Sequence, residues 1–133
     1  MKKSVALASL LLFAVIVFTA FHSKDKHPTD MRDCLEKVKS NWGEKCLGCE
    51  SNYKDSYKLT LVNICEETLD IKVAVQNTNI TWRIFDKESL APGDTFFAYS
   101  CEGTGRFLKW VKKAGDKTIS FPSNPEIYKL YPK

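Results

Sequence analysis

The sequence predicts an all-β domain, an antiparallel sandwich or barrel of about six to seven short strands, with one short N-terminal helix. Three observations carry that expectation. From Tyr57 onward, apolar and polar residues alternate in runs of strand length. Clusters of turn-forming residues, such as Asn77-Thr78-Asn79 and Ala91-Pro92-Gly93-Asp94, separate those runs. All five cysteines lie beyond a hydrophobic N-terminal leader, the pattern of a domain braced by disulfides.

The leader comes first. Lys2 and Lys3 precede an uncharged run from Val5 to Phe21. A basic start followed by an apolar run is the order of an export signal. Its cleavage site is a poor match. A cut after Ala20 sets bulky Phe18 where a small side chain is preferred, whereas a cut after Thr19 sets Val17 there. The run is also just long enough to cross a bilayer. Residues 1–21 therefore read as a signal peptide or, alternatively, an uncleaved membrane anchor. Residues 22–29 read as a polar linker, and residues 30–133 as one disulfide-stabilised β domain. The domain is expected outside the cytosol, secreted or periplasmic in a bacterium, with membrane contact only through residues 5–21 if these stay attached.

The helix is expected over residues 30–42. Thr29 and Asp30 are N-cap candidates, Asp33 adds a first-turn carboxylate, and Cys34, Leu35, Val38 and Trp42 fall at helical spacing. Gly43 then stands where a helix C-cap would. Strands are expected at 57–65, 69–76, 80–85, 95–101, 106–111 and 117–121. Glu66-Glu67-Thr68 and Glu102 to Gly105 are expected as turns. The tail, from Pro125 to Pro132, reads as an edge strand because proline cannot donate to a ladder.

An odd number of cysteines in an oxidising compartment leaves one thiol over. Cys65 and Cys101 end two strand-like runs and are expected to pair. Cys34 is expected to pair with Cys46 or Cys49. Two other readings use the same residues. Cys34, Cys46, Cys49 and Cys65 could form a four-thiolate zinc cage. Cys46-Leu47-Gly48-Cys49 could be a redox motif, although it lacks the preceding strand and following helix that lower a thiol pKa. Structural disulfides fit the compartment best, and neither a metal nor another cofactor is expected.

Composition narrows the function. The 20 basic and 16 acidic residues nearly balance once Lys2 and Lys3 are set aside, which argues against nucleic acid. The cluster Lys109, Lys112 and Lys113 reads as a solvated strand face. Both histidines, His22 and His27, lie in the linker, so the domain has none for a triad or a histidine metal site. Carboxylate pairs remain, drawn from Glu66, Glu67, Asp70, Glu88, Asp94 and Glu102, each at a turn or strand end. Gly103-Thr104-Gly105 lacks the helix and Lys-Ser/Thr pair of a phosphate loop. The aromatics Tyr99, Phe107, Trp110 and Trp82 lie on strands and form either core or an exposed binding patch. The expectation is a non-catalytic binding module recognising an envelope or extracellular protein or glycan. The alternatives are a small carboxylate hydrolase and a zinc-stabilised domain.

Overall fold

Two three-stranded antiparallel sheets face each other in a sandwich-like arrangement. The computed structural model describes residues 30–49 and 53–132. The expected leader and linker lie outside the described residues. The first sheet has the order β1-β2-β5, from β1 (Leu35–Trp42), β2 (Tyr57–Asn63) and β5 (Thr95–Ser100). The second has the order β4-β3-β6, from β4 (Trp82–Leu90), β3 (Leu69–Asn77) and β6 (Gly103–Lys113). A short helix, α1 (Asn124–Leu130), closes the chain.

Alternation makes the core. Tyr57, Leu59 and Leu61 of β2 point inward, as do Leu69, Ile71, Val73 and Val75 of β3. Phe85, Phe96, Ala98, Phe107 and Val111 pack against them from the neighbouring strands. Each fully buried aliphatic side chain contributes about 1.5–3 kcal/mol. The outer face of β3 is buried too, because Ala74 joins Trp82 and Ile127 in a second cluster beneath α1.

The expected helix over residues 30–42 is replaced by a four-residue 3-10 turn, Met31–Cys34, followed by β1. Asp30 does cap the turn, accepting from the Arg32 N–H at 2.8 Å. The strand contains a β-bulge: the β1–β2 register slips between Lys37 and Lys39, leaving Val38 unpaired, so that Leu35, Lys37, Ser40 and Trp42 stand opposite Asn63, Leu61, Leu59 and Tyr57. Val38 is 61% exposed, not buried on a helical stripe.

The C-terminal tail corrects a second expectation. Ser123 and Glu126 form a reciprocal capping box, and Pro125 sits in the first turn, so the tail is helix and not edge strand. The strand expected at 117–121 is absent, because the Asp116 carboxylate bends the chain by accepting from the Thr118 N–H and hydroxyl. The turn expected at 102–105 is shorter. β6 begins at Gly103, where a Cβ would lie 2.4 Å from Cβ of Tyr57. Gly105 adopts φ +83°, and a Cβ there would approach Trp42 at 3.2 Å.

One end of the sandwich is organised by Asn63, which is fully buried. Its side-chain amide donates to the carbonyls of Glu67 (2.8 Å) and Leu90 (3.0 Å), and its Oδ1 accepts from the Cys65 N–H (3.0 Å). Its backbone exchanges bonds with Gly93 and Asp94 across the Pro92-Gly93 turn. Nearby, Asp70 accepts from the N–H groups of Ser89 and Gly115, both at 3.0 Å. Ser89 has φ +54°, so the carboxylate holds a strained residue in place.

Asn63→Ala strands two carbonyls and an N–H in a dry environment. It is expected to lower the unfolding free energy by about 2–4 kcal/mol, measured by urea denaturation. The backbone bonds from Gly115 and Ser89 hold the Asp70 carboxyl below its ordinary pKa. Such a group contributes stability at neutral pH that disappears as pH falls through its native pKa. Asp70→Asn is expected to cost about 1–2 kcal/mol at neutral pH, with the difference from the parent closing below about pH 4.

Candidate functional site

The four aromatics singled out from the sequence do not form one platform. Trp82 is only 4% exposed. Its indole N–H donates to the Tyr131 carbonyl (2.8 Å), and the Tyr128 hydroxyl donates back to the Trp82 carbonyl (2.7 Å). Trp82 therefore clamps α1 to the second sheet. Trp110 shares that face and meets Tyr131 edge-on, with ring centroids 6.2 Å apart. Phe107 points the other way, into the main core, with the Lys37 ammonium 5.9 Å from its ring. Tyr99 lies at the β4–β5 flank, stacked on Phe85 (5.2 Å) and beneath the Arg83 guanidinium (4.2 Å).

Trp110 has a further environment that its position in β6 alone does not reveal. It lines a groove of about 400 Å³ with Val111. The 3-10 turn and its cap contribute Asp30, Met31 and Arg32, and the irregular segment after β6 contributes Ile119, Ser120 and Phe121. Two lysines of β6 position these segments. Lys109 donates to the carbonyls of Arg32 (2.8 Å) and Leu35, drawing the turn onto the strand. Lys112 donates to the carbonyls of Asp116 (2.7 Å) and Ile119 (3.1 Å) and lies 5.2 Å from the Phe121 ring centroid. The basic cluster is thus a set of structural latches. Lys113 pairs with Glu67 at 3.2 Å.

The groove combines apolar surface with a charged rim. Arg32 grips the Asp30 carboxylate through two nitrogens, at 2.7 and 3.0 Å, and this hydrogen bonding lowers the Asp30 pKa. Burial pushes the Lys109 ammonium pKa down, while the carboxylates of Asp33, Glu36 and Asp30 oppose that shift. Such a surface can hold an apolar side chain and orient a charged group beside it.

All five cysteines are among the described residues. Cys34 pairs with Cys65, and Cys49 pairs with Cys101. Cys46 is free and buried. The expected Cys65–Cys101 bridge is incorrect because the two strand ends fall at opposite ends of the sandwich. Cys65 follows the Asn63 end of β2, whereas Ser100 lies across from Tyr57 at the other end. Cys34 finds Cys65 because β1 runs antiparallel to β2, setting Leu35 opposite Asn63. The four sulfurs of the zinc expectation do not stand together as thiolates, since three of them are bonded in these two bridges.

Three of the candidate carboxylates are occupied. Glu67 pairs with Lys113, Asp70 takes two backbone N–H groups, and Glu102 accepts from the Thr78 hydroxyl at 3.4 Å. Sequence reasoning missed Arg83 and Ile119. Neither belongs to a motif, and each acquires its place from a segment distant in the chain.

Lys109→Met keeps the alkyl stem and removes the ammonium. Amide hydrogen exchange at residues 31–35 is expected to accelerate by about tenfold, corresponding to about 1.4 kcal/mol of local opening, while the β2 and β3 amides stay protected. No protein-family model, curated protein or solved structure matches this chain, so any functional reading stands on its own groove, rings and sulfurs.

Proposed function

We propose that this chain is a non-catalytic binding module, working outside the cytosol, that recognises a segment of a protein partner. The groove beside Trp110 carries this reading. Met31, Val111, Ile119 and Phe121 offer apolar contact, and Ile119 is 46% exposed at its side. The Asp30–Arg32 pair supplies the polar rim that fixes orientation. Two disulfides in so small a domain support an oxidising compartment, as does the order of the leader. Among the described residues, no helix is long and apolar enough to cross a membrane.

A glycan has less support. Sugar platforms need an aromatic face left bare for stacking. Here Lys58 lies 4.9 Å from the Phe97 ring, and Lys37, Lys112 and Arg83 approach Phe107, Phe121 and Tyr99 in the same way. Trp42, 53% exposed, is one foothold, and it already leans on Tyr57 at 4.9 Å.

Panning the full chain against a phage-displayed random peptide library tests the proposal. Peptides enriched on the parent are expected to share a large apolar residue. They should bind Ile119→Glu at least about tenfold more weakly, or about 1.4 kcal/mol, with unchanged circular dichroism. Equal binding to both proteins would remove the groove from the reading. Glycan-array binding abolished by Trp42→Ala but untouched by Ile119→Glu would favour a sugar instead.

A further inference from the structure

The groove makes no use of the cysteines at the other flank, and their arrangement carries an inference of its own. Cys46 and Cys49 belong to one tight turn, closed by the Cys49 N–H donating to the Cys46 carbonyl at 3.1 Å. Residues at the ends of such a turn have Cα atoms within about 7 Å, close to the range a disulfide spans. Both cysteines are 6% exposed, so they share a shielded environment. Cys49 is already bonded to Cys101. A free thiol thus lies three residues from one sulfur of a disulfide, on a turn that can bring the two together.

The other sulfur has a cationic neighbour. Arg83 donates to Cys101 Sγ at 3.6 Å through one nitrogen and to the Tyr99 hydroxyl at 3.2 Å through another. The same guanidinium reaches the Leu47 carbonyl at 3.5 Å and would lie 3.7 Å from a Cβ on Gly48. One cation therefore touches the Cys46–Cys49 turn and the sulfur that a rearrangement would release. A positive charge beside a departing thiolate stabilises it and speeds exchange.

We propose that Cys46, Cys49 and Cys101 form an internal thiol–disulfide relay. The Cys46 thiolate attacks Sγ of Cys49. The Cys46–Cys49 bond forms, the Cys49–Cys101 bond breaks, and Cys101 leaves with the electron pair as a thiolate beside Arg83. The proton lost by Cys46 passes to solvent, and the Cys101 thiolate can take one up. One disulfide is exchanged for another, so no oxidant or reductant is consumed. The exchange unties the loop between β1 and β2 from the end of β5. It also moves the free thiol from a buried position to half-buried Cys101, where a partner's cysteine can reach it. Cys34–Cys65, at the opposite end of the sandwich, takes no part.

Disulfide mapping of the full chain decides the matter. Protein held at about pH 7, 8 and 9, across the ordinary thiol range, is quenched with acid in denaturant, blocked with N-ethylmaleimide and cut with trypsin. Cys46 and Cys49 then share one peptide, residues 46–54, while Cys101 lies on residues 88–106. The resting pairing gives maleimide on Cys46 and a link between the two peptides. The exchanged pairing gives maleimide on Cys101 and a bridge within residues 46–54. Both forms are expected, with interconversion quickening as pH rises. Arg83→Met should reduce the exchanged fraction several-fold and Arg83→Lys should restore it. An intact Cys34–Cys65 link in the same digest reports that each variant has folded. Maleimide confined to Cys46 at every pH would overturn the relay. So would an exchanged fraction indifferent to Arg83→Met.

Discussion

A single buried carboxamide holds one end of this sandwich together. Asn63 closes β2, and its side chain and backbone bind the 64–67 turn, the end of β4 and the turn into β5. These connections pass between the two sheets, where no ladder can satisfy their polar groups. A buried N–H or carbonyl left without a partner costs about 1–3 kcal/mol, so the crossing segments need a polar residue at their centre. The Cys34–Cys65 bridge lies beside it and joins the 3-10 turn to the same corner. Cross-linking of this kind constrains the unfolded chain most where the loop it closes is long. The hydrophobic strands supply the driving force, and Asn63 decides how they connect.

The two sheets are covered unequally. The outer face of the second sheet is buried under α1, through Trp82, Ile84, Leu108, Trp110 and Ile127. The outer face of the first sheet carries Lys58, Thr60 and Phe97, and among the described residues no helix lies over it. β6 consequently has large residues on both faces and an outer edge that, among the described residues, pairs with no strand. The 3-10 turn and the segment after β6 come up to that edge without completing a ladder. The groove is the space they leave, and Lys109 and Lys112 fix its width by bonding to carbonyls on either side. The opposite flank is closed more tightly, by Arg83, Tyr99 and the Cys49–Cys101 bridge. One side of the sandwich thus carries the groove, and the other a disulfide with a free cysteine three residues away.

Strand patterning was legible wherever the period was unbroken. β2, β3 and β5 lie within a residue or two of their expected limits because one face of each meets the core continuously. Each failure has its own cause. β1 looked helical because Leu35, Val38 and Trp42 stand three and four residues apart, but Val38 is the unpaired bulge residue and lies exposed. The tail looks like an edge strand by its prolines, but Pro125 fits the first turn of a helix that the Ser123–Glu126 capping box, readable in the sequence, begins. The segment at 117–121 has the composition of a strand but finds no partner edge, and Asp116 turns it aside. Of the four aromatics, whose strand positions allow either core or patch, Trp110 lines the groove, whereas Trp82 is core that holds α1.

By itself the sequence determined the class of fold, the central strands of both sheets and the presence of a thiol without a partner, because alternation and parity are local properties of a chain. Cysteine pairing, the groove and the contact between Arg83 and Cys101 were decided only by the tertiary structure. Each depends on which strand ends share a corner, and that follows from antiparallel register between segments far apart in sequence, which no local pattern encodes.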